Sequence, residues 1–172
     1  MTRYIGRYQL DARPDRIDLR DRTYTPPLRS LDPEFPSPEY VKNYFSRYRN
    51  LVLDQGLEGA CTGFGLAGTI NYLLWRRAVV EMPVGSRMKE SDLPPTVSQR
   101  MLYHLARFYD EWPGEDYQGS SCRGAVKAWH KHGVCRQELW PYKDERGRVR
   151  FVKPGKDGKR MRQRGLWAFI SG

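Results

Sequence analysis

Apolar positions recur at helical spacing in three windows of the chain. Over residues 61–80, Phe64, Ala67, Gly68, Ile70, Leu73, Leu74 and Ala78 fall near that spacing and predict a strong helix. The same window carries Gly63, Gly65, Ala67 and Gly68, and its glycines weaken intrinsic helix propensity. They make sense if another backbone packs close against this helix, which implies burial. A second helix is predicted over 96–110, where Thr96 and Gln99 resemble a capping box. Val97, Met101, Leu105 and Phe108 would share its buried face. A third is predicted over 121–132, with Ser120 or Ser121 as N-cap and Ala125, Val126 and Trp129 as the buried stripe. Gly133 stands where a helix end favours a left-handed residue.

Outside these windows the pattern is broken. Pro14, Pro26, Pro27, Pro33, Pro36 and Pro38 exclude a helix near the start, and charges alternate along DARPDRIDLRDR. This reads as an extended arm that becomes ordered only by lying on a folded body. VKNYFSRYRN, after it, reads as a short helix. Turn-rich loops follow at 81–95 and 111–119. Beyond Trp140, Pro141 and Tyr142 the chain turns basic, with Gly147, Gly155 and Gly158 marking turns. The organisation is therefore an arm over 1–50, a helical domain over 51–142, and a basic linker leading into a further segment over 143–172. No internal repeat is visible.

Composition refines this picture. Hydrophobic residues are 39% of the 172, and aromatic residues are 13%, too many for disorder throughout. The net charge of +10 is concentrated. Residues 143–164 hold ten basic residues against three acidic ones, a net of +7. Such a block reads as a solvated basic loop or as a binder of phosphates and anionic surfaces. Phe151 is its one aromatic residue, so base stacking is poorly supported and the sequence argues against nucleic acid as the partner. No apolar run is long enough to span a membrane, and the N-terminal residues lack the apolar core of a signal peptide. The expected location is cytoplasmic. Three cysteines do not make a disulfide framework; Cys122 and Cys135 could pair, against which a reducing compartment argues. No metal or cofactor is expected.

The stretch DQGLEGACTGFG places Cys61 where a glycine-rich turn becomes a helix. A thiol attacks as its thiolate. Unpaired backbone N–H groups at the first turn of a helix favour a negative charge there. Gly56 and Gly59 let the backbone turn sharply and approach a substrate. Gln55 offers an amide donor that, with the Cys61 backbone N–H, makes a workable oxyanion hole. A cysteine among glycine, alanine and threonine is also what a buried structural residue looks like. From these residues alone, both readings stand.

Gln55, Gly56, Gly59, Cys61 and Phe64 match, in order and spacing, the Gln-Gly-x-x-Gly-x-Cys-x-x-Phe pattern of papain-like cysteine peptidases. A second block, GSSCRGAVKAWHKHGVCRQELWPY, is similar to a later segment of that family, with Gly119, Ala125, Gly133, Val134, Trp140, Pro141 and Tyr142 on its pattern. RPDRIDLRDRTYTPP resembles the leader of bacterial and archaeal members. The resemblance implies an α+β fold of which this chain supplies the mainly helical left-hand domain behind a Pro-rich arm, the β-rich second domain being largely absent. It implies Cys61 as nucleophile, Gln55 as oxyanion donor, and a strip at Gly119 and Ser120 that binds the substrate backbone. Cys122 would border a side-chain pocket, or open its helix with no further role. The partner implied is a peptide or protein substrate.

The sequence departs from that family in three places. Many members have tryptophan after the nucleophile; here it is Thr62. Many secreted members have a disulfide-forming cysteine three residues before it; here it is Glu58. The family's catalytic histidine and asparagine lie roughly 130–150 residues beyond the cysteine, here about residue 190 to 210 and past Gly172. The expectation is a truncated peptidase, inactive by itself, that needs a second-domain partner chain to supply them. His104, His130 and His132 fall in the second and third helices and are not expected to serve as base. Two rivals remain: a non-catalytic scaffold that holds a peptide in its cleft, and a nucleic-acid binder acting through 143–164.

Overall fold

A computed structural model describes residues 3–5, 8–10, 12–23, 25, 52–83, 85–86, 89–112 and 117–142. The expectations for the short helix after the arm and for the basic segment lie outside these residues. The described elements are a two-stranded antiparallel ribbon, β1 (Arg3–Ile5) and β2 (Tyr8–Leu10), and three helices: α1 (Cys61–Val80), α2 (Gln99–Phe108) and α3 (Cys122–His132). A single 3-10 turn (Glu90–Asp92) interrupts the loop between α1 and α2. The architecture of the described residues is thus mainly helical, as expected. The ribbon was not expected: two three-residue strands around Gly6 and Arg7 carry too little alternation to be read locally.

α2 is the central helix and packs against both α1 and α3. One glycine makes each crossing possible. A Cβ on Gly63 of α1 would lie 2.7 Å from the backbone N and Cα of Tyr103 on α2. A Cβ on Gly124 of α3 would lie 3.0 Å from the Ala106 carbonyl oxygen. The close approach inferred for α1 therefore holds at Gly63 and at the fully buried Ala67, but not at Gly65 or Gly68, which face open space. One apolar cluster joins Ala67 and Ile70 of α1 to Leu102 of α2, with Val97 and Val134 from the flanking segments. A second joins Ala60, Phe64, Tyr103 and Tyr142.

α2 begins two residues later than the capping-box pattern suggested. Ser98 is its N-cap, and its hydroxyl accepts from the Met101 N–H at 3.0 Å. The same hydroxyl donates to the Trp140 carbonyl at 2.6 Å. Thr96 instead donates to the Gln137 side chain. With the register moved, Leu102, Tyr103 and Ala106 form the buried face and Phe108 is exposed. α3 follows its prediction: Ser121 is the N-cap, accepting from the Gly124 N–H. Gly133 has φ +67° and donates its N–H to the Trp129 carbonyl. Its inner face is made of Gly124, Ala125 and Ala128, because only small residues fit against α2; Val126 is exposed.

Residues 133–142 close back on the start of α2. Val97 and Arg136 form an antiparallel bridge, flanked by Ser98 N–H to Cys135 O at 2.8 Å and Gln137 N–H to Thr96 O at 2.9 Å. Within the arm, residues 12–23 lie against the start of α3 and turn once, the Asp21 N–H donating to the Asp18 carbonyl. Arg13 bridges Ser121, and Arg123 gathers the rest. The Arg123 guanidinium donates to both carboxylate oxygens of Asp21 at 2.6 Å, and the Arg123 backbone N–H donates to Asp15 at 2.8 Å. Arg13 and Arg16 stack on Tyr117 and Trp112, 4.2 and 4.3 Å from the ring centres.

Candidate functional site

The site begins at a turn. Gly56 takes φ +63°, a conformation that a side chain would strain, and its N–H donates to Asp54 at 2.9 Å. The turn is closed from within. Gln55 Nε2 donates to the Glu58 carbonyl at 3.0 Å, and the Ala60 N–H donates to the same carbonyl at 2.7 Å. Cys61 then opens α1 as its first residue, half-buried and not in a disulfide. Ala60 is the N-cap and contributes no side-chain hydrogen bond. Cys61 therefore stands at the helix end where backbone N–H groups lack intrahelical acceptors, a place that favours negative charge.

The strip at 118–121 is held to the first turn of α1, to α2 and to Asp110. Thr62 Oγ1 and Ser120 Oγ lie 2.5 Å apart, both buried. The bond joins the residue after Cys61 to the residue after Gly119. Tyr103 donates its hydroxyl to the Gln118 carbonyl at 2.5 Å. Ser121 N–H donates to Asp110 at 2.9 Å, and Tyr117 donates to the same carboxylate. The Ser120 side chain is therefore committed to Thr62, and Gly119 and Ser120 are both buried. Cys122, the first residue of α3, is exposed.

A buried polar group underlies the turn. Arg100, from α2, makes a two-pronged ion pair with Glu58 at 2.9 and 3.0 Å, their side chains 3% and 11% exposed. Tyr142 Oη lies 2.8 Å from the Gln55 carbonyl and 2.5 Å from Glu58 Oε2. The Arg100 guanidinium sits 4.4 Å over the Tyr142 ring, and Phe64 meets that ring edge-on at 4.7 Å. Burial and the hydrogen bond to Glu58 push the Tyr142 phenol well above its ordinary range. Burial, with the Glu58 charge, pushes Tyr103 up to about 12. Sequence reasoning missed this group. In the sequence Glu58 stands out only where the resembled family has a cysteine, and Tyr142 only as part of a motif. No local signal marked it: Arg100 lies off the apolar face that spacing predicts for its helix.

The histidines are engaged elsewhere. His132 Nε2 and Tyr109 Oη are 2.7 Å apart, and the exposed His104 ring lies 5.5 Å from Trp140. His130 is exposed. Among the described residues no three His, Cys, Asp or Glu side chains gather as a metal site. No described helix is long and apolar enough to cross a membrane.

No protein-family model matches the sequence, and no curated protein matches it. A solved structure does: xylellain, a cysteine protease from Xylella fastidiosa, is 25% identical, with a TM-score of 0.51. The match covers 84% of this chain and 49% of the protease, so the chain spans about half the length of the structure it resembles. The described architecture corresponds to the helical half of a papain-like fold, without a β-rich domain among the described residues.

Proposed function

We propose that the chain is the nucleophile-bearing half of a cysteine peptidase. The observation that supports this reading is the Thr62–Ser120 bond, which joins the residue after Cys61 to the residue after Gly119. Cys61 attacks the substrate carbonyl, and the pair of electrons released from the carbonyl settles on oxygen. Gln55 and the Cys61 N–H are the donors assigned to that oxygen. Gly119 and Ser120 present backbone groups to an extended peptide. Likeness to a cysteine protease supports the chemistry at the level of the family. The three histidines are placed elsewhere, so the base is assigned to the stretch of such a protease that this chain does not span.

A peptidyl epoxide tests the reading. Attack by a thiolate opens the three-membered ring, leaves a stable thioether, and needs no turnover. Peptide mapping is expected to find the adduct at Cys61 in preference to Cys122, although Cys122 is the more exposed of the two. Cys61→Ala should abolish it, and the 172 residues alone should show no peptide hydrolysis. Labelling that merely follows exposure, or peptide binding with no adduct at all, would favour the scaffold reading.

A further inference from the structure

The buried pair of Glu58 and Arg100 is poorly explained as a source of stability. Desolvating two charges offsets most of their attraction, and apolar residues of similar volume commonly serve as well. Its position explains it better. Glu58 belongs to the turn, Arg100 to α2, and Tyr142 to the segment that returns beneath both. Two of its contacts reach Gln55: the Gln55 backbone carbonyl accepts from Tyr142 at 2.8 Å, and the Gln55 side-chain amide donates to the Glu58 backbone carbonyl at 3.0 Å. Two acceptors thus share one Tyr142 proton, and displacing either Glu58 or Tyr142 releases an end of Gln55. Tyr142 packs with Ala60, Phe64 and Tyr103, and the ion pair beside it is largely withdrawn from solvent, where such bonds are stronger.

Resting on the proposed role of Cys61 and Gln55, we infer that Glu58, Arg100 and Tyr142 are positioning residues: a buried clamp that aims the Gln55 amide at the oxygen of a substrate held by Cys61. The clamp acts on the oxyanion and not on the thiol, and that difference can be measured. A peptide aldehyde is the first probe. The Cys61 sulfur adds to its carbonyl carbon, the C=O π pair moves to oxygen, and the thiol proton goes to that oxygen, giving a hemithioacetal. Iodoacetamide is the second probe; sulfur displaces iodide and no oxyanion forms.

Tyr142→Phe is the cleanest variant, because it keeps the ring under Arg100 and against Phe64 and leaves the ion pair intact. The full chain carrying it is expected to bind the aldehyde about tenfold more weakly, the worth of one good hydrogen bond or about 1.4 kcal/mol. Iodoacetamide should alkylate Cys61 at an unchanged rate. Arg100→Lys, which keeps the charge but loses the fork, should behave the same way. Adding Tyr142→Phe to Gln55→Ala should cause no further loss, since the two act through one group. If Tyr142→Phe leaves aldehyde affinity unchanged, or if both probes weaken together, the clamp has no directed role and the inference is overturned while the peptidase reading stands. If the unaltered chain captures no aldehyde at Cys61, the peptidase reading fails and takes this inference with it.

Discussion

Gly63→Ala puts a single methyl group where α1 crosses α2. That methyl would lie 2.7 Å from the N, Cα and Cβ of Tyr103, about 1 Å inside ordinary contact. Two of those atoms are backbone, so no side-chain rotation relieves the clash. Tyr103 is 2% exposed and is held through its hydroxyl to Gln118, which resists a shift of α2. The helices must separate instead, and overpacking of this kind costs about 1–3 kcal/mol. Against it stands the gain of about 1 kcal/mol from replacing glycine with alanine within a helix. The net expectation is a loss of up to about 2 kcal/mol. Gly68→Ala is the control on the same helix. Nothing lies within 4 Å of its added methyl, so only the propensity gain remains and the variant should be more stable than the parent. Urea unfolding followed by circular dichroism reads both as shifts in midpoint at constant slope. A Gly63→Ala variant as stable as Gly68→Ala would refute the close crossing, and with it the placement of the Cys61 end of α1.

Three further outcomes follow from named contacts. Glu58→Gln strands the Arg100 charge in a buried site and should cost about 3–5 kcal/mol in thermal or urea unfolding; a loss under about 1 kcal/mol would mean that water reaches the pair. Tyr103 and Tyr142 both titrate higher in the folded chain than in the unfolded one, so the stability they hold is complete below about pH 10 and is lost as pH rises. Phenolate absorbance should therefore show two tyrosines ionising only with loss of helix, and their titration in a still-folded chain would contradict the burial. The Arg123 guanidinium holds Asp21 below the usual carboxylate range, so this pairing persists above about pH 4 and is lost as pH falls further. Limited proteolysis of the arm should speed up in acid and in Arg123→Ala; equal protection at pH 3 and pH 7 would show that other contacts hold it.

The legible parts of the fold were those whose cause is local. α1 and α3 lie where apolar spacing put them, because a buried stripe repeats with the helix itself. Ser121 and Gly133 were legible as ends for the same reason: each acts on its own helix. The start of α2 was misread because Thr96 and Gln99 imitate a capping box, whereas Ser98 is preferred by a contact with Trp140, 42 positions away. The buried faces of α2 and α3 were partly misread because the closeness of the crossing decides which residues fit, favouring Ala106, Gly124 and Ala128 over larger neighbours. Arg100 looks like an outer residue in any window of its own helix. Its partner Glu58 is also 42 positions away, and only the fold makes the two neighbours.

The Tyr142 bonds to Gln55 and Glu58 span 87 and 84 positions. A growing chain leaves the ribosome from its N-terminal end, at roughly 5–20 residues per second. The turn that carries Cys61 therefore emerges several seconds before the tyrosine that secures it. Through that interval α1 can form from its own hydrogen bonds, while the carbonyl of Gln55 waits for its donor. The thiol is made early and its surroundings are completed late, so an order of assembly is written into the positions of three residues. A nascent chain halted before residue 142 would carry the nucleophile segment without the contact that fixes its approach.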